Sequence, residues 1–514
     1  MSASAARAPG LIATALLALL AIAVGGWQLH AATRGVDTES TTVDGTPVTI
    51  FRTPAGPPAP VVVIAHGFAG SQQLMQSFAL ALARGGYIAV TFDFAGHGRN
   101  PTPLTGSITE VDGATRSLVA ETARVAAFAR GLGDGRLAVL GHSMASDIVV
   151  RFAQQTPDVA ATIAVSMFSP AVTADSPRNL LVIVGDWEGM LKTEALRAVG
   201  LATAPDAAQA GMSYGDFATG TARRAAWSPG VEHVGVLYSR ASLAAAIDWL
   251  DQTFDTARAP PALDSRGPWI LLLLAGTVAL ARPLSRALPR VATPPRGAGL
   301  PWRSLWPLLV APMIATPLLL RVLPTHFLPV LVADYLAAHF ALYGLLTAAC
   351  LAWHHRGKPM PATIGARVSH PALAIAAFAT IAYAAIGIGW PLDTYVASFV
   401  PGAGRGVLVL ALLVGTACYF LADELLTRGR GAGRGAYAAS KLAFVVSLAI
   451  AVALDFERLF FLVIIVPVIA LFFLVHGLFS AWAYRATGHP WVGGIANAVA
   501  FAWAIGVTFP LLAG

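Results

Sequence analysis

The pattern of apolar and polar positions changes near residue 265 and divides the chain into two parts. From about Asp37 to Thr256, short apolar runs alternate with longer stretches of helical character. The apolar runs are Val61 to Ala65, Tyr87 to Phe92, Leu137 to Leu140 and Leu180 to Val184. Such runs are typical of strands buried on both faces, so this part is predicted to be an α/β domain, with a mostly parallel sheet flanked by helices.

After the segment Arg258 to Gly267, apolar stretches of about 20 residues recur, which is the length that a helix needs to cross a bilayer. We expect about eight such helices, forming an all-α polytopic transmembrane domain. The predicted helices begin near Pro268, Leu305, Phe327, Ala372, Val407, Leu442, Leu459 and Trp491.

A further apolar run, Leu11 to Val24, follows Arg7 and predicts either an uncleaved anchor or a cleaved signal peptide. The anchor is favoured because the run continues through Trp27, and the small residues at Ala31 and Ala32 match a cleavage site only loosely. The predicted organisation is an N-terminal anchor or signal segment at residues 1–35, the α/β domain at 36–257, a linker at 258–267 and the transmembrane domain at 268–514.

Composition supports a membrane location, since 56% of the 514 residues are hydrophobic and only 12% are charged, against roughly 25% charged in soluble domains. The net charge of +7 comes largely from links between apolar spans, and no nucleic-acid motif accompanies them, so no nucleic-acid partner is expected. Three links that follow alternate spans carry Arg282, Arg286, Arg290, Arg296 and Arg303, then Arg356, Lys358 and Arg367, then Arg428, Arg430, Arg434 and Lys441. The positive-inside rule makes these links cytoplasmic and places residues 36–257 on the other side.

The two cysteines give no indication of a metal site or a thiol nucleophile. Cys350 and Cys418 both lie in apolar spans, which makes a zinc cluster or a catalytic cysteine improbable. No metal and no cofactor is expected.

The run Leu137 to Leu140 leads into Gly141, His142, Ser143, Met144 and Ala145, and a helical stretch, Ser146 to Gln155, follows. A strand, a GxSx(G/A) turn and a helix in this order predict a nucleophile elbow, in which a tight turn exposes the hydroxyl of Ser143. Ala145 stands where glycine is commoner, and an ordinary strand–helix connection is the alternative.

Two further motifs lie upstream of the predicted elbow. The first strand ends in HGFAG, where the backbone N–H of Phe68 would join that of Met144 in an oxyanion hole. The next strand ends in DFAGHGR, where His97 is expected to be structural. The order HGFAG, DFAGHGR, GHSMA resembles the α/β-hydrolase superfamily of serine esterases and lipases, over roughly Thr41 to Phe254.

That resemblance implies a triad in the order serine, acid, histidine. His233, just before a helical stretch from Ala241 to Thr253, is placed as the base. The spacing usual in the family favours Glu188 as the acid, with Asp186 as the alternative. Only Ser169 to Arg178 separate the strand after the elbow helix from the next strand, where family members often carry a cap domain, so there is little room for a lid. The connection from Gly189 to Gly230, with Met190, Leu191, Met212, Tyr214 and Phe217, is a candidate for substrate contacts, and a surface helix pair is the alternative.

Ionisable residues also occur in or beside the apolar spans, where they are costly and are functional candidates. They are Asp334, His339, Asp423, Glu424 and His476. The sequence from Asp423 to Arg428 resembles the EExxxR motif of the CAAX-processing and bacteriocin-processing membrane proteases, and Tyr484 to Gly488 with Trp491 to Ala498 resemble that family's last helices.

The match to these membrane proteases is partial. Asp423 replaces the first glutamate of the motif, and Asn497 stands where a histidine is expected, although Phe472 and His476 fit an FxxxH pattern. The resemblance implies a degenerate relative, and an interfacial cluster of Asp, Glu and Arg that caps a span is the alternative.

The function expected from the sequence is that of a membrane-bound serine hydrolase, which cleaves or transfers an acyl ester of a lipophilic or envelope-derived substrate. It would lie in a membrane, most simply a bacterial inner membrane, with the hydrolase domain on the periplasmic side and with a small-molecule or lipid ester and the bilayer as its partners. The alternatives are a non-catalytic hydrolase-like sensor or binding domain, and a protease-like activity within the spans.

Overall fold

The computed structural model describes residues 8–54, 58–107, 110–203, 208–256, 261–356, 367–402 and 404–513. Arg7, residues 258–260 of the predicted linker and Lys358 of a predicted cytoplasmic link lie outside these residues. The chain forms two compact units. We call Ala23–Leu273, Leu392–Gly402 and Pro510–Gly514 the sheet unit, and Met1–Ile22, Leu274–Pro391 and Ala403–Phe509 the helical unit.

The sheet unit is built on a nine-stranded sheet among the described residues, with the strand order β1-β2-β4-β3-β5-β6-β7-β9-β8. The strands are β1 (Asp37–Val43), β2 (Thr46–Arg52), β3 (Val61–Ala65), β4 (Ile88–Phe92), β5 (Leu137–His142), β6 (Val159–Val165), β7 (Leu180–Gly185), β8 (Ser213–Tyr214) and β9 (Arg223–Ser228). From β4 to β9 in this order all neighbours are parallel, whereas β1, β2 and β8 pair in an antiparallel manner. The predicted α/β fold, with a mostly parallel sheet, is confirmed.

Helices cover both faces of this sheet, because every residue of β3, β4, β5 and β7 is buried and each face needs an apolar partner. Successive residues of β3 point to opposite faces: Val62 and Ile64 belong to one core, Val61 and Val63 to the other. The covering helices are α2 (Gln76–Arg84), α3 (Arg116–Arg130), α4 (Met144–Gln155), α5 (Gly189–Gly200) and α6 (Arg240–Phe254). The predicted strands and the helices after Ser143 and His233 match β3, β4, β5, β7, α4 and α6 within a few residues.

The connection from Gly189 to Gly230 does not form a helix pair in its described residues. It contains the single helix α5, followed by β8 and β9. Phe217 packs its ring against Trp249, at 4.6 Å between centroids, and so belongs to the core, whereas Met190 is exposed.

Two segments distant in sequence complete the sheet unit. The carboxylate of Asp393 accepts a hydrogen bond from Arg99 at 2.6 Å, and the backbone N–H of Ser398 donates to Ser71 Oγ at 2.8 Å. The C-terminal segment pairs with the loop after β4, where the N–H of Leu511 donates to Gly96 O at 2.9 Å. Residues 392–402 and 510–513 therefore contribute to the sheet unit, although they lie within the predicted transmembrane domain.

Nine helices among the described residues are long and apolar enough to cross a membrane. They are built from α1 (Ala8–Ala31), α7 (Arg266–Leu284), α8 (Trp302–Leu320), α9 (Ala333–His355), α10 (His370–Ala384) with α11 (Trp390–Tyr395), α12 (Arg405–Thr427), α13 (Ala436–Leu454), α14 (Phe456–Thr487) and α15 (Pro490–Thr508). The helix predicted to begin near Phe327 begins at Ala333, because Pro324 and Pro329 disfavour helical conformation in the residues before them.

Glycines allow the helices of the helical unit to pack closely. A Cβ atom on Gly415 of α12 would lie 2.3 Å from the carbonyl oxygen of Ala337 in α9, and one on Gly344 of α9 would lie 2.3 Å from the backbone of Cys418. Small residues at such crossings let two backbones approach and gain van der Waals contact.

Candidate active site

Ser143 lies in the turn between β5 and α4, with φ 55° and ψ −119°. A positive φ is unfavourable for a residue with a Cβ atom, and it persists only where the surrounding structure enforces it. The turn is so tight that a Cβ on Gly141 would lie 2.3 Å from the carbonyl oxygen of Ala145. Ala145 is fully buried, and its methyl group packs in the hydrophobic core on one face of the sheet. This is the geometry of a strand–elbow–helix turn.

The structure brings Ser143, His233 and Glu188 into one hydrogen-bonded chain. His233 Nε2 lies 2.8 Å from Ser143 Oγ, and His233 Nδ1 lies 2.5 Å from Glu188 Oε1. Because an ionised carboxylate can only accept, Nδ1 carries the proton and Nε2 is left to accept from the serine hydroxyl. This tautomer is the one in which the imidazole can take up the serine proton.

Glu188 is held by more than His233. Its second oxygen, Oε2, accepts from Ser166 Oγ at 2.8 Å and from the backbone N–H of Gly185 at 2.6 Å. Burial acts to raise the pKa of Glu188, but the hydrogen bonds from His233, Ser166 and Gly185 outweigh it and hold the pKa below its ordinary value. The carboxylate is therefore ionised and fixed at neutral pH.

Asp186, the alternative acid, points away from the histidine. Its side chain is 46% exposed and forms an ion pair with Lys192 at 2.8 Å. Of the two predicted candidates, Glu188 is the one that contacts His233.

The loop after β3 lies directly against Ser143. A Cβ on Gly67 would lie 3.0 Å from Ser143 Cβ and 3.1 Å from the carbonyl oxygen of His142, which is tighter than ordinary van der Waals contact, so glycine suits this close approach. Phe68 comes next in this loop and its ring meets that of His97, while Met144 is the first residue of α4. Their backbone N–H groups are thus on the two segments that flank Ser143.

His66 holds the loop after β3 through hydrogen bonds of both its ring nitrogens. Its Nε2 accepts from the backbone N–H of Phe94 at 3.1 Å, so Nδ1 carries the proton and donates to Gly67 O at 2.8 Å. Burial lowers the pKa of His66 to about 4, although the hydrogen bond to Gly67 opposes the change. His66 is therefore neutral at ordinary pH and ties the loop after β3 to the loop after β4.

Two residues that contact this chain of side chains were not predicted. Ser166, with φ 52°, directly follows β6 and donates to Glu188, and a serine at the carboxyl end of a strand next to the elbow strand is the signal that could have found it. His142 occupies the variable position before Ser143, and its Nε2 donates to the carbonyl oxygen of His233 at 2.9 Å. Burial, and next the charge of His233, lower the pKa of His142 to about 3.

The helical unit holds a second cluster of ionisable side chains, at the predicted motif from Asp423 to Arg428. Asp423 accepts hydrogen bonds from Ser440 and Lys441, and Glu424 accepts from Ser480 and, at 2.8 Å, from Arg428. All four oxygens of the two buried carboxylates are therefore engaged, and each carboxylate is in an ion pair.

The other candidate residues of the helical unit each have their own surroundings. Asn497 Nδ2 lies 3.5 Å from Tyr437 Oη, and His476 is surrounded by the rings of Phe472, Phe479 and Phe501. His339 Nε2 lies 3.1 Å from Ser447 Oγ in a separate place, and Asp334 accepts from the N–H of Tyr335. Within the described residues, no group of three or more His, Cys, Asp or Glu side chains could hold a metal ion.

The sheet order, the elbow and the hydrogen-bonded chain define this part of the molecule as an α/β-hydrolase domain. Residues 56–200 match the family described as serine aminopeptidase, S33, which places this domain among the α/β hydrolases. The matched residues include Ser143 and Glu188 but end before His233. No curated protein is similar enough to the chain to count as a match.

Solved structures of hydrolases resemble part of the chain. The epoxide hydrolase VrEH1 from Vigna radiata is 23% identical over 26% of this chain and 42% of its own, with a TM-score of 0.22. A predicted CIB-like hydrolase from Thermoplasma acidophilum is 18% identical over 42% of this chain and 97% of its own, with a TM-score of 0.33. TT1662 from Thermus thermophilus is 20% identical over 43% of this chain and 99% of its own, with a TM-score of 0.30. The chain thus spans less than half the length of the Vigna radiata enzyme, and the fold assignment rests on the strand order and the family match.

Proposed function

We propose that the chain is a membrane-bound serine hydrolase that cleaves or transfers the acyl group of an ester, with Ser143 as nucleophile, His233 as base and Glu188 as the acid that orients the base. The observation that carries this proposal is the chain of hydrogen bonds from Ser143 Oγ through both ring nitrogens of His233 to Glu188. A histidine between an elbow serine and a buried carboxylate is the arrangement that activates a nucleophile, and it is not expected of an ordinary surface histidine.

The reaction follows from this arrangement. Ser143 Oγ attacks the carbonyl carbon of the ester while its proton passes to His233 Nε2, and a tetrahedral intermediate forms. The N–H groups of Phe68 and Met144 stabilise the negative oxygen. The bond to the alkoxy group then breaks, and the alcohol leaves with the proton from His233. Water, deprotonated in turn by His233, attacks the acyl-enzyme. The bond between the acyl carbon and Ser143 Oγ then breaks, Ser143 regains its proton from His233 and the acid is released. Another alcohol in place of water would give acyl transfer.

Exposed apolar side chains around the proposed site support a lipophilic substrate. Phe168 follows β6, Trp187 and Met190 flank Glu188, and Val234 is next to His233; these four are from 45% to 86% exposed. Large apolar side chains that gather in water mark a binding surface for an apolar partner. Trp187, Met190 and Val234 lie on the loops that also carry Glu188 and His233, and Phe168 lies on the loop that carries Ser166, so these side chains can contact an acyl chain.

The membrane location is proposed from the nine long apolar helices and from the basic links between them. With Arg282, Arg286 and Arg290 after the first of these helices beyond the hydrolase domain, the positive-inside rule puts the domain on the extracytoplasmic face. An ester that is dissolved in a bilayer or released from an envelope would meet the site there.

The proposed activity is tested with p-nitrophenyl esters of increasing acyl length and the full chain in detergent micelles. We expect kcat/KM to rise from the acetyl to the medium-chain esters, and Ser143→Ala to lower kcat by roughly 10³-fold or more. Asp186→Asn is the control and should keep the wild-type rate. Hydrolysis that persists in Ser143→Ala would refute the nucleophile, and a folded chain that cleaves none of the esters would favour the binding-domain alternative.

A further inference from the structure

A polar pocket of about 470 Å³ lies in the sheet unit, away from the residues proposed for catalysis. It is lined by the β1–β2 hairpin, by the segment around Gln72 to Gln76 that follows the oxyanion loop, and by residues 393–395. Polar and apolar side chains both line it, and the polar ones include Gln72, Gln73, Gln76, Thr38 and Ser40. Pockets of roughly 300–1,000 Å³ are the size that holds a small ligand.

Arg266 places a buried positive charge beside this pocket, and Asp264 acts on that charge without forming an ion pair with it. It is 2% exposed, and its Nη1 donates to Gln76 Oε1 at 2.7 Å. Its Nε has no hydrogen-bond partner, and no ion pair among the described residues involves it. Its guanidinium lies 5.6 Å from the centre of the Tyr395 ring. A buried charge that no ion pair neutralises is unfavourable, and an anion in the pocket would lower that cost.

The other charges in the wall cancel. Arg99 donates to Asp393 Oδ2 at 2.6 Å, and Asp393 Oδ1 accepts from the N–H groups of Phe399 and Val400. Among the described residues, the charged side chains that line the pocket are Arg99, Arg266 and Asp393. The net charge of this described part of the wall is therefore that of Arg266, which suits an anion with a single negative charge.

We propose that this pocket binds a singly charged phosphodiester that carries hydroxyl groups. A guanidinium matches the oxygens of a phosphate group in geometry and charge, and the threonine and serine hydroxyls of the β1–β2 hairpin that line the pocket can hydrogen-bond the hydroxyls of the ligand. Arg266 is the first residue of α7, which is long and apolar enough to cross a membrane. The end of such a helix lies at the depth of lipid headgroups. A phospholipid headgroup and a soluble glycerophosphodiester share this chemistry.

The test uses the full chain in nanodiscs and compares the two sources of a phosphodiester. In phosphatidylcholine nanodiscs, soluble glycerophosphoglycerol is titrated by calorimetry; in nanodiscs with added phosphatidylglycerol, the lipid that stays bound after extraction is counted by native mass spectrometry. Arg266→Gln should weaken binding by roughly tenfold or more, Arg266→Lys should restore part of it, and Arg240→Gln, at an exposed arginine, should have no effect.

Each outcome decides the proposal. Binding of glycerophosphoglycerol that depends on Arg266 supports the site with a soluble ligand, and retention of phosphatidylglycerol alone that depends on Arg266 supports it with a lipid headgroup. Binding that is unchanged in Arg266→Gln, or absence of both ligands from the folded wild-type protein, would overturn it. The ester hydrolysis of each variant reports whether the fold is intact, because the residues proposed for catalysis do not line this pocket.

Discussion

At the scale of single residues, the carboxylate of Glu188 shows how an acid is fixed beside a histidine. It accepts hydrogen bonds from His233, Ser166 and Gly185, and a Cβ on Gly185 would lie 2.9 Å from it. Asp186, two residues earlier, is instead a solvent-exposed partner of Lys192. Two carboxylates so close in sequence therefore have different surroundings, and this difference allows a matched experiment.

Glu188→Gln should lower kcat for ester hydrolysis by roughly 10²- to 10⁴-fold, because an amide neither fixes the same imidazole tautomer nor stabilises the imidazolium. Asp186→Asn should change kcat by less than about twofold, since an exposed ion pair contributes little. Steady-state kinetics of both variants would check this. A larger loss in Asp186→Asn than in Glu188→Gln would reverse the assignment of the acid.

The buried histidines make the stability of the domain sensitive to acid. Burial lowers the pKa of His142 to about 3 in the folded chain, against 6.5 when unfolded, so only the unfolded chain takes up this proton as the pH falls below 6.5. The stabilising contribution is therefore present above pH 6.5 and is lost towards pH 3, by up to about 1.4 kcal/mol for each pH unit.

This loss is measured as the melting temperature of the full chain between pH 7 and pH 4.5. In His142→Gln the decrease on acidification should be smaller than in the wild type, and in His30→Gln, at an exposed histidine, it should be unchanged. Equal acid sensitivity of the wild type and His142→Gln would contradict the neutral, buried state of His142.

Two residues near the proposed site show the limit of prediction at this scale. Ser143 was predicted from its place between a strand and a helix, and His233 and the two candidate acids were predicted from the resemblance to the α/β hydrolases. Ser166 and His142 were not, because their contacts with Glu188 and His233 join parts of the chain 22 and 91 residues apart. A local motif carries no information on such pairs.

At the scale of elements, the loop after β3 and the elbow after β5 come into close contact at Gly67, which has no side chain. The loop that starts at His66 passes so close to the elbow that a methyl group on Gly67 would press against Ser143 and His142. The two turns come from different strands, β3 and β5, whose parallel pairing places their carboxyl ends side by side.

Gly67→Ala should therefore displace Ser143 or the loop and lower kcat by roughly tenfold to a hundredfold, because small displacements of reacting groups are costly. Gly189→Ala is the matched control, since a Cβ there would meet nothing within 4 Å. Kinetics with a p-nitrophenyl ester, together with the melting temperature, separates a catalytic effect from unfolding. A wild-type kcat in Gly67→Ala would contradict this prediction, since it would mean that the loop can shift without an effect on catalysis.

The elements that could be predicted are those with a strong pattern. The strands β3, β4, β5 and β7 are buried throughout and stand out as apolar runs. The hairpin of β1 and β2 was missed, because β1 is mostly exposed and polar and β2 is buried only in part. The segment 392–402 was predicted to belong to the transmembrane domain. The contacts that place it in the sheet unit were not visible in the local pattern, because they join residues far apart in sequence, such as Ser398 and Ser71, 327 residues away.

At the scale of the whole molecule, the hydrolase domain shares one chain with the nine long apolar helices found among the described residues. Two carboxylates buried among these helices are in ion pairs, Asp423 with Lys441 and Glu424 with Arg428. Paired charges are the form in which ionisable groups are tolerated inside a membrane. Lys441, which donates to Asp423, belongs to α13, and Ser480, which donates to Glu424, belongs to α14, so the cluster connects both helices to α12.

The proposed orientation can be tested with single cysteines in a chain whose Cys350 and Cys418 are replaced by serine. In spheroplasts of a bacterial host, a membrane-impermeant maleimide should label Asp216→Cys, in the sheet unit, without lysis. It should label Arg430→Cys, in a basic link, only after the membrane is permeabilised. The opposite pattern would contradict the proposed orientation.

The most direct test of the central claim is the position of a covalent adduct. The full chain in detergent is treated with a fluorophosphonate, digested, and its modified peptide identified by mass spectrometry. The account predicts one adduct per chain, on Ser143, which is lost in Ser143→Ala and greatly slowed in His233→Ala but forms at the wild-type rate in Asp186→Asn. An adduct on another residue, or unchanged labelling of Ser143→Ala, would contradict it.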